Sequence, residues 1–139
     1  MYEKILVAVD HSEITARVLN AALELASPSQ GEVWVLHLRE REPMGKTGLL
    51  MSAESRDEAD EAVTAAVETL TKAGVKAHGT VRSTVFGHAA REIIYDAQEH
   101  GADVIVMGSR GRGDLAGLVL GSTAHKVIHL ADRPVLVVR

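Results

Sequence analysis

The sequence predicts an α/β fold: a doubly wound sandwich of three layers, with a five-stranded parallel sheet between two layers of helices. Three observations carry this. Near-continuous aliphatic runs such as Ile5-Leu6-Val7-Ala8-Val9 and Val104-Ile105-Val106-Met107 have the pattern of strands buried on both faces. They alternate with longer segments whose apolar residues recur at helical spacing. Clusters of glycine, proline and serine punctuate the boundaries. Such alternation implies parallel strands joined by right-handed crossover helices.

Strand 1 is Lys4 to Val9, closing at Asp10. Helix 1 is expected from Ser12, with Glu13 favouring its N-terminus, to about Ala26. Its stripe is Ala16, Leu19, Ala22, Leu23 and Ala26. Ser27-Pro28-Ser29-Gln30-Gly31 breaks it, and strand 2 follows from Glu32 to Leu38. The polar segment Arg39 to about Ser52 contains Pro43, Gly45 and Gly48 and reads as a mobile loop. Helix 2 runs from about Ala53 to Ala73 on a stripe of Val63, Ala66, Val67 and Leu70. Glu54, Asp57, Glu58 and Glu61 crowd its first turns, a solvated acidic face suited to a helix N-terminus. Strand 3 spans about Val75 to Val85, helix 3 His88 to His100, and strand 4 Asp103 to Met107. Helix 4 is Ser122 to Leu130 and strand 5 is Pro134 to Val138.

The 139 residues suffice for one domain with a sizeable core, residues 1–139. A net charge of −4 without a basic run, and only 3% aromatics, argue against nucleic acid as a partner. The absence of cysteine removes disulfides, zinc–thiolate sites and thiol nucleophiles. Ile5 to Val9 is too short for the apolar part of an export signal, and no apolar run approaches the roughly 20 residues that span a bilayer. The expectation is a cytoplasmic protein with no membrane partner.

The chemistry is expected where strand 4 empties into Gly108-Ser109-Arg110-Gly111, with Gly121-Ser122-Thr123 opening helix 4 after nine further residues. Glycines admit close backbone approach and positive φ. A helix start offers unpaired N–H groups and the positive end of its dipole, so this is a place to hold phosphate. Main-chain amides between Met107 and Thr123 are expected to form the nest, with Arg110 and Arg112 supplying positive charge. In the strand order 3-2-1-4-5 the sheet reverses between strands 1 and 4, and ligands bind at such a reversal, outside the carboxyl ends of the strands. Val9 and Asp10 then face the glycine loop across one cleft. Asp10 is an acceptor of the kind that holds ribose hydroxyls, or water on a magnesium ion. Taken singly, Gly113 and Gly117 read as turn glycines and Ser122 as an ordinary cap, but a strand exit, spaced glycines, two arginines and a hydroxyl-led helix together favour phosphate; for Asp10 an ordinary loop or cap role is the lesser reading.

Two familiar phosphate motifs do not fit. A P-loop needs lysine before the hydroxyl residue, where Leu120-Gly121-Ser122 has none. Gly111-Arg112-Gly113-Asp114-Leu115-Ala116-Gly117 imitates a dinucleotide fingerprint with one residue too many and only one strand to follow. A phosphoacceptor aspartate is missing from Ser83-Thr84-Val85. His125 and His129 lie at i and i+4, but with no further ligand at suitable spacing they read as surface or partner contacts. His37 reads as a packed core or interface residue. His11 follows Asp10, and lining the cleft is the lesser reading for it.

Gly108-x2-Gly111-x9-Gly121-Ser122 resembles the nucleotide-binding signature of the universal stress protein family. The similarity extends over essentially the whole chain. Lys4 to Ser12 resembles the opening strand and loop, Val35 to Leu38 the second strand, Ala102 to Gly111 the fourth, and Arg133 to Val138 the last. The resemblance implies a fold related to the adenine nucleotide alpha-hydrolase group and an adenine nucleotide, usually ATP with Mg2+, as ligand. It implies that Asp10 contacts the ribose side and Leu38 offers backbone hydrogen bonds to adenine. Gly108, Gly111, Gly121 and Ser122 then enclose the phosphates. Asp114 departs from the neutral or small residue expected there.

Two functions fit these residues: a regulatory module that binds ATP with slow or no hydrolysis, and a weak ATPase or autophosphorylating enzyme. Fast phosphoryl transfer needs a positioned nucleophile, and no base or water-orienting residue is evident in the loop, which favours binding. The uncharged strand 134–138, expected at a sheet edge, predicts a homodimer paired through that edge, as the resemblance also implies.

Overall fold

The structure is a computed structural model that describes residues 2–110 and 120–139. Its elements run β1 (Lys4–Val9), α1 (Thr15–Ala26), β2 (Glu32–Met44), β3 (Leu49–Met51), α2 (Arg56–Lys72), β4 (Lys76–Val85), α3 (Ala89–Glu99), β5 (Val104–Gly108), α4 (Ser122–Leu130) and β6 (Val135–Val138). The parallel strands lie in the order β4-β2-β1-β5-β6. This is the expected 3-2-1-4-5 order, with β4, β5 and β6 as strands 3, 4 and 5, but the sheet has six strands and not five, because β3 adds an antiparallel strand to the outer part of β2.

β1 shows why three layers form. Ile5, Val7 and Val9 point into one core with Val18, Leu19 and Ala22 of α1 and Val63, Ala66 and Leu70 of α2. Leu6 points the other way, into a second core with Ala90 and Ile93 of α3, Val127 of α4 and Ile105 and Met107 of β5. Alternate side chains of one strand thus reach both helical layers. At roughly 25 cal/mol per Å² of apolar surface removed from water, these two cores are the main stabilising term.

Three boundaries differ from the sequence reading, each for a local reason. α1 begins at Thr15, not Ser12. The Asp10 carboxylate accepts from Ser12 N–H at 2.8 Å, and Thr15 Oγ1 donates to the Asp10 carbonyl at 2.8 Å, so the preceding residues are held in a turn. α2 begins after Ser55, whose hydroxyl accepts from Glu58 N–H at 3.1 Å and so supplies an N-cap three residues into the expected helix. The expected mobile loop at 39–52 is instead ordered pairing. β2 continues to Met44, and β3 returns antiparallel with Met51 opposite Glu42 and Leu49 opposite Met44. Gly45 and Gly48 serve the turn between them with φ of 68° and 71°. Pro43 is tolerated at this outer end of the sheet.

Close packing of β4 on α2 requires Gly79. A Cβ there would collide with Val63 Cγ1 and lie 3.0 Å from Val67 Cγ2. Because valine is stiff at χ1, neither can rotate away freely. Gly79→Ala is expected to lose about 1–3 kcal/mol in denaturant unfolding, and Val63→Ala in that background to recover part of it. An unchanged midpoint for the single variant would contradict this packing.

Candidate functional site

β2 outruns β1. Its register with β1 ends at His37 opposite Val9, whereas its register with β4 continues to Arg41 opposite Val85. The stretch from Leu38 to Arg41 therefore lies beyond the end of β1, with one edge uncovered by that strand. On the other side β5 ends at Gly108, and α4 starts at Ser122. A cleft of about 810 Å³ fills the space between, lined from β1 by Val9 and Asp10, from β2 by Leu38, from β5 by Met107 and Gly108, and from α4 by Ser122 and Thr123. This volume falls within the usual span of small-molecule sites, roughly 300–1,000 Å³. Arg110 and Gly121 also line it. Gly111 and Arg112, like Gly113, Asp114 and Gly117, lie outside the described residues.

The ends of the glycine loop are fixed. Ser109, buried at 3% exposure, donates its N–H to the Val138 carbonyl at 2.7 Å, and its own carbonyl accepts from Gly121 N–H. β6 thus anchors the exit of β5, and one main-chain bond closes the neck of the loop. Gly121 is the N-cap of α4 without a side-chain cap, and the first intrahelical bond is His125 N–H to Gly121 O at 3.0 Å. The amides at the start of α4 precede that bond and stand at the cleft.

Of the signature glycines, Gly108 and Gly121 do not adopt positive φ. Gly121 has φ −72°, and Gly108 is not among the described positive-φ residues. At Gly108 a Cβ would lie 2.5 Å from Ile14 Cδ1, so the constraint is the approach of the α1 entry to the β5 exit. Asp10 stands where expected but has a structural duty as well, accepting from Ser12 N–H.

The cleft is electrically polarised. Arg110 and Lys126 line it beside β5 and α4, whereas Glu40, Glu42, Glu54 and Glu58 line it beside β2 and α2, accompanied by Arg41. Two lining residues hold buried polar atoms, Ser12 Oγ and Arg41 Nε, with no hydrogen-bond partner among the described residues. Buried donors of this kind are normally satisfied by water or a ligand.

Sequence reasoning missed the second wall of this cleft. His11 and His37 both face Glu54, with His11 Nε2 at 3.2 Å and His37 Nε2 at 2.7 Å from its carboxylate oxygens. Glu54 is therefore not part of a solvated acidic face, unlike the exposed Asp57, Glu58 and Glu61. His37 is a packed residue as expected, at 2% exposure, and His11 does line the cleft. His125 and His129 line a separate groove between α3 and α4 and join no such group among the described residues. Phe86 and Gly87, at the end of β4, also line the cleft. The rule that ligands sit at strand ends, applied to β4 as well as to β1 and β5, would have found them.

The sequence matches the universal stress protein family over residues 1–139. The chain belongs to that family. It is 37% identical to a universal stress protein of Bacillus subtilis, each chain covered in full. Among solved structures it resembles a universal stress protein from Archaeoglobus fulgidus, at 31% identity and a TM-score of 0.78, with both chains fully covered. A universal stress protein from the same organism, solved in complex with dAMP, is 29% identical with a TM-score of 0.75, covering 99% of this chain and 98% of that one. The sandwich described above is the fold these family members share. No helix among the described residues is long and apolar enough to cross a membrane.

Burial raises the Glu40 carboxyl above its ordinary value of 4.5, and the charge of Glu42, two residues along β2, adds to this. A carboxyl whose pKa is raised on folding holds its proton more tightly in the folded chain than in the unfolded one. Its ionisation costs stability as the pH climbs through 4.5, in full only above the raised folded value. Glu40→Gln is expected to melt above the wild type at pH 7 and to converge with it below pH 4.5. Thermal unfolding at the two pH values checks this.

Proposed function

We propose that this universal stress protein, as a single domain over residues 1–139, binds an adenine nucleotide across the cleft and acts as a stress-response regulatory module with slow or no hydrolysis. The polarity of the cleft carries the reading. A ligand with an anionic tail and an uncharged, hydrogen-bonding base is seated one way round, tail toward α4 and base toward β2. At the tail end, the uncapped start of α4, the hydroxyls of Ser122 and Thr123, and Arg110 offer donors to phosphate. Gly108 and Gly121 belong to the same phosphate nest, with Met107 as its floor, and Gly111 and Arg112, outside the described residues, are assigned to it by the signature alone. At the base end, the main chain at Leu38, beyond the end of β1, supplies hydrogen bonds to adenine, and Val9 packs below. Asp10 holds the ribose side.

The dAMP complex of the Archaeoglobus fulgidus relative supports an adenylate as the ligand class. ATP accompanied by Mg2+ is the form proposed here. A hard cation that keeps its waters rides on the phosphate oxygens of the tail, while Asp10 stays with the ribose side. The protein works in the cytoplasm and without nucleic acid or membrane as partner. Its β6 edge supports a homodimer. β6 pairs only with β5 among the described residues, and Leu136 on it is 38% exposed.

Ser122→Asp tests the binding mode without endangering the fold. An acid in the first turn suits the helix dipole, so stability is expected to hold. The same charge repels phosphate and removes a hydroxyl donor. ATP affinity by calorimetry is expected to fall at least tenfold, the equivalent of one lost charge-assisted bond of about 1.5–3 kcal/mol. Equal affinity in both proteins would place the tail elsewhere. With ATP and Mg2+, phosphate release on the order of one per second, the scale of kinases, would count against a binding module.

Leu136→Asp places a charge on the outer strand and is expected to shift the protein from dimer to monomer in sedimentation at micromolar concentration. A wild type that sediments as a monomer would rule out the paired edge.

A further inference from the structure

His37 Nδ1 lies 2.9 Å from the Val9 carbonyl. A carbonyl only accepts, so Nδ1 carries the hydrogen and donates it, which leaves Nε2 to face Glu54 Oε1 at 2.7 Å. A lone pair on Nε2 and a carboxylate oxygen do not rest against each other at that distance unless a positive centre, proton or metal, lies at the site. His11 approaches from the other side. Its Nε2 is 3.2 Å from Glu54 Oε2, and its ring meets that of His37 edge-on with centroids 5.1 Å apart. The three ligand atoms lie within 4.8 Å of one another, and this is the only such group among the described residues.

The support behind two of these residues suits a metal centre. A ligating histidine characteristically donates its second ring nitrogen to a backbone carbonyl or carboxylate, which fixes the tautomer and aims the other nitrogen. Val9 O does this for His37, itself 2% exposed. Glu54 is held through its own main chain: Arg39 Nε donates to the Glu54 carbonyl at 2.9 Å, and Glu54 N–H donates to Ser52 Oγ at 3.2 Å. The ligands come from three separate segments, the loop after β1, β2, and the lead into α2, so the fold and not a local helix spacing assembles them.

We propose that His11, His37 and Glu54 form a transition-metal site, with Zn2+ the best-suited ion and an open fourth position toward the cleft. Two imidazoles and one carboxylate are a zinc ligand set that leaves a coordination position for an outside ligand. Mg2+ prefers oxygen ligands and its waters, so the site is distinct from any cation carried by a nucleotide. Ligand atoms around tetrahedral zinc stand roughly 3.3 Å apart, given bonds of about 2.0–2.1 Å. The contact between His37 and Glu54, now 2.7 Å, therefore opens by about 0.6 Å as the ion enters. The site does not depend on nucleotide binding.

The experiment uses the full chain freed of nucleotide, titrated with Co2+ and then Zn2+ alone. One Co2+ per chain is expected, with the visible absorption of a low-coordinate site that Zn2+ abolishes and equimolar Mg2+ does not. His11→Ala, on the partly exposed side of the site, and Glu54→Gln, which keeps a hydrogen-bonding side chain beside His37, are each expected to weaken Zn2+ at least tenfold in calorimetry. Metal-free melts of both variants verify that they fold. His125→Ala is expected to leave stoichiometry and affinity unchanged. Absence of Zn2+ heat and Co2+ absorption, undiminished affinity in the folded His11→Ala and Glu54→Gln proteins, or loss of the Co2+ signal in His125→Ala would each overturn the site and leave a hydrogen-bonded histidine–carboxylate cluster.

Discussion

β1 is paired on both sides and packed on both faces, and it stops at Val9 while β2 goes on beside β4 to Arg41. That offset dictates what the rest of the molecule can be. A central strand that ends early leaves a gap in the sheet's upper edge, and the chain must fill it with loops or leave it to a ligand. Here the gap is roofed on one side by the start of α4 and on the other by the residues leading into α2. His37, the last β2 residue in register with β1, ties the two ends together through its bond to the Val9 carbonyl. The depth of the cleft and the convergence of His11, His37 and Glu54 both descend from this register.

The opposite wall is set by a second parallel offset. β5 ends at Gly108, and Ser109 crosses to bond Val138 and Gly121. These bonds hold the strand exit and the helix start at fixed separation whatever passes between them. β6 therefore contributes to the cleft without lining it, since its last carbonyl positions the residue after β5. An edge strand with this task cannot move freely, and pairing it with another copy would make the wall of the cleft stiffer.

The sheet order, the two-sided burial of β1 and the place of the cleft were legible in the sequence because each rests on period and alternation. Aliphatic runs four to six residues long, separated by helical patterns, admit few other arrangements. The end of β2 was not legible, since Arg39 to Met44 is polar on a strand whose outer part pairs with β3 instead of entering a core. The helix starts were misread where side chains compete for backbone groups: Asp10 and Thr15 hold a turn where Ser12 and Glu13 signal a helix. Of the site, the residues at the exits of β1 and β5 and at the start of α4 followed from topology. Glu54 did not, because it looks like one of several acids around a helix start. Only the fold distinguishes it from Asp57, by carrying it against two histidines distant in sequence.

Gly108 shows how a motif and its cause can part company. The spacing of the glycines suggests a loop that needs positive φ, yet at Gly108 the missing side chain makes room for Ile14. Glycine there lets the entry of α1 pack against the exit of β5, which brings the turn held by Asp10 up to the same cleft. The glycine thus shapes the site by drawing two chain segments together, and the anion binding proposed above is left to elements with charge or helix-start amides: Arg110, Lys126 and the first turn of α4. A bulkier residue at 108 acts first on the seating of α1, through the flexible end of Ile14, and only through that on whatever the cleft holds. Affinity and stability at this position are therefore coupled, whereas at Ser122, which bears on the cleft from an uncapped helix end, they are separable.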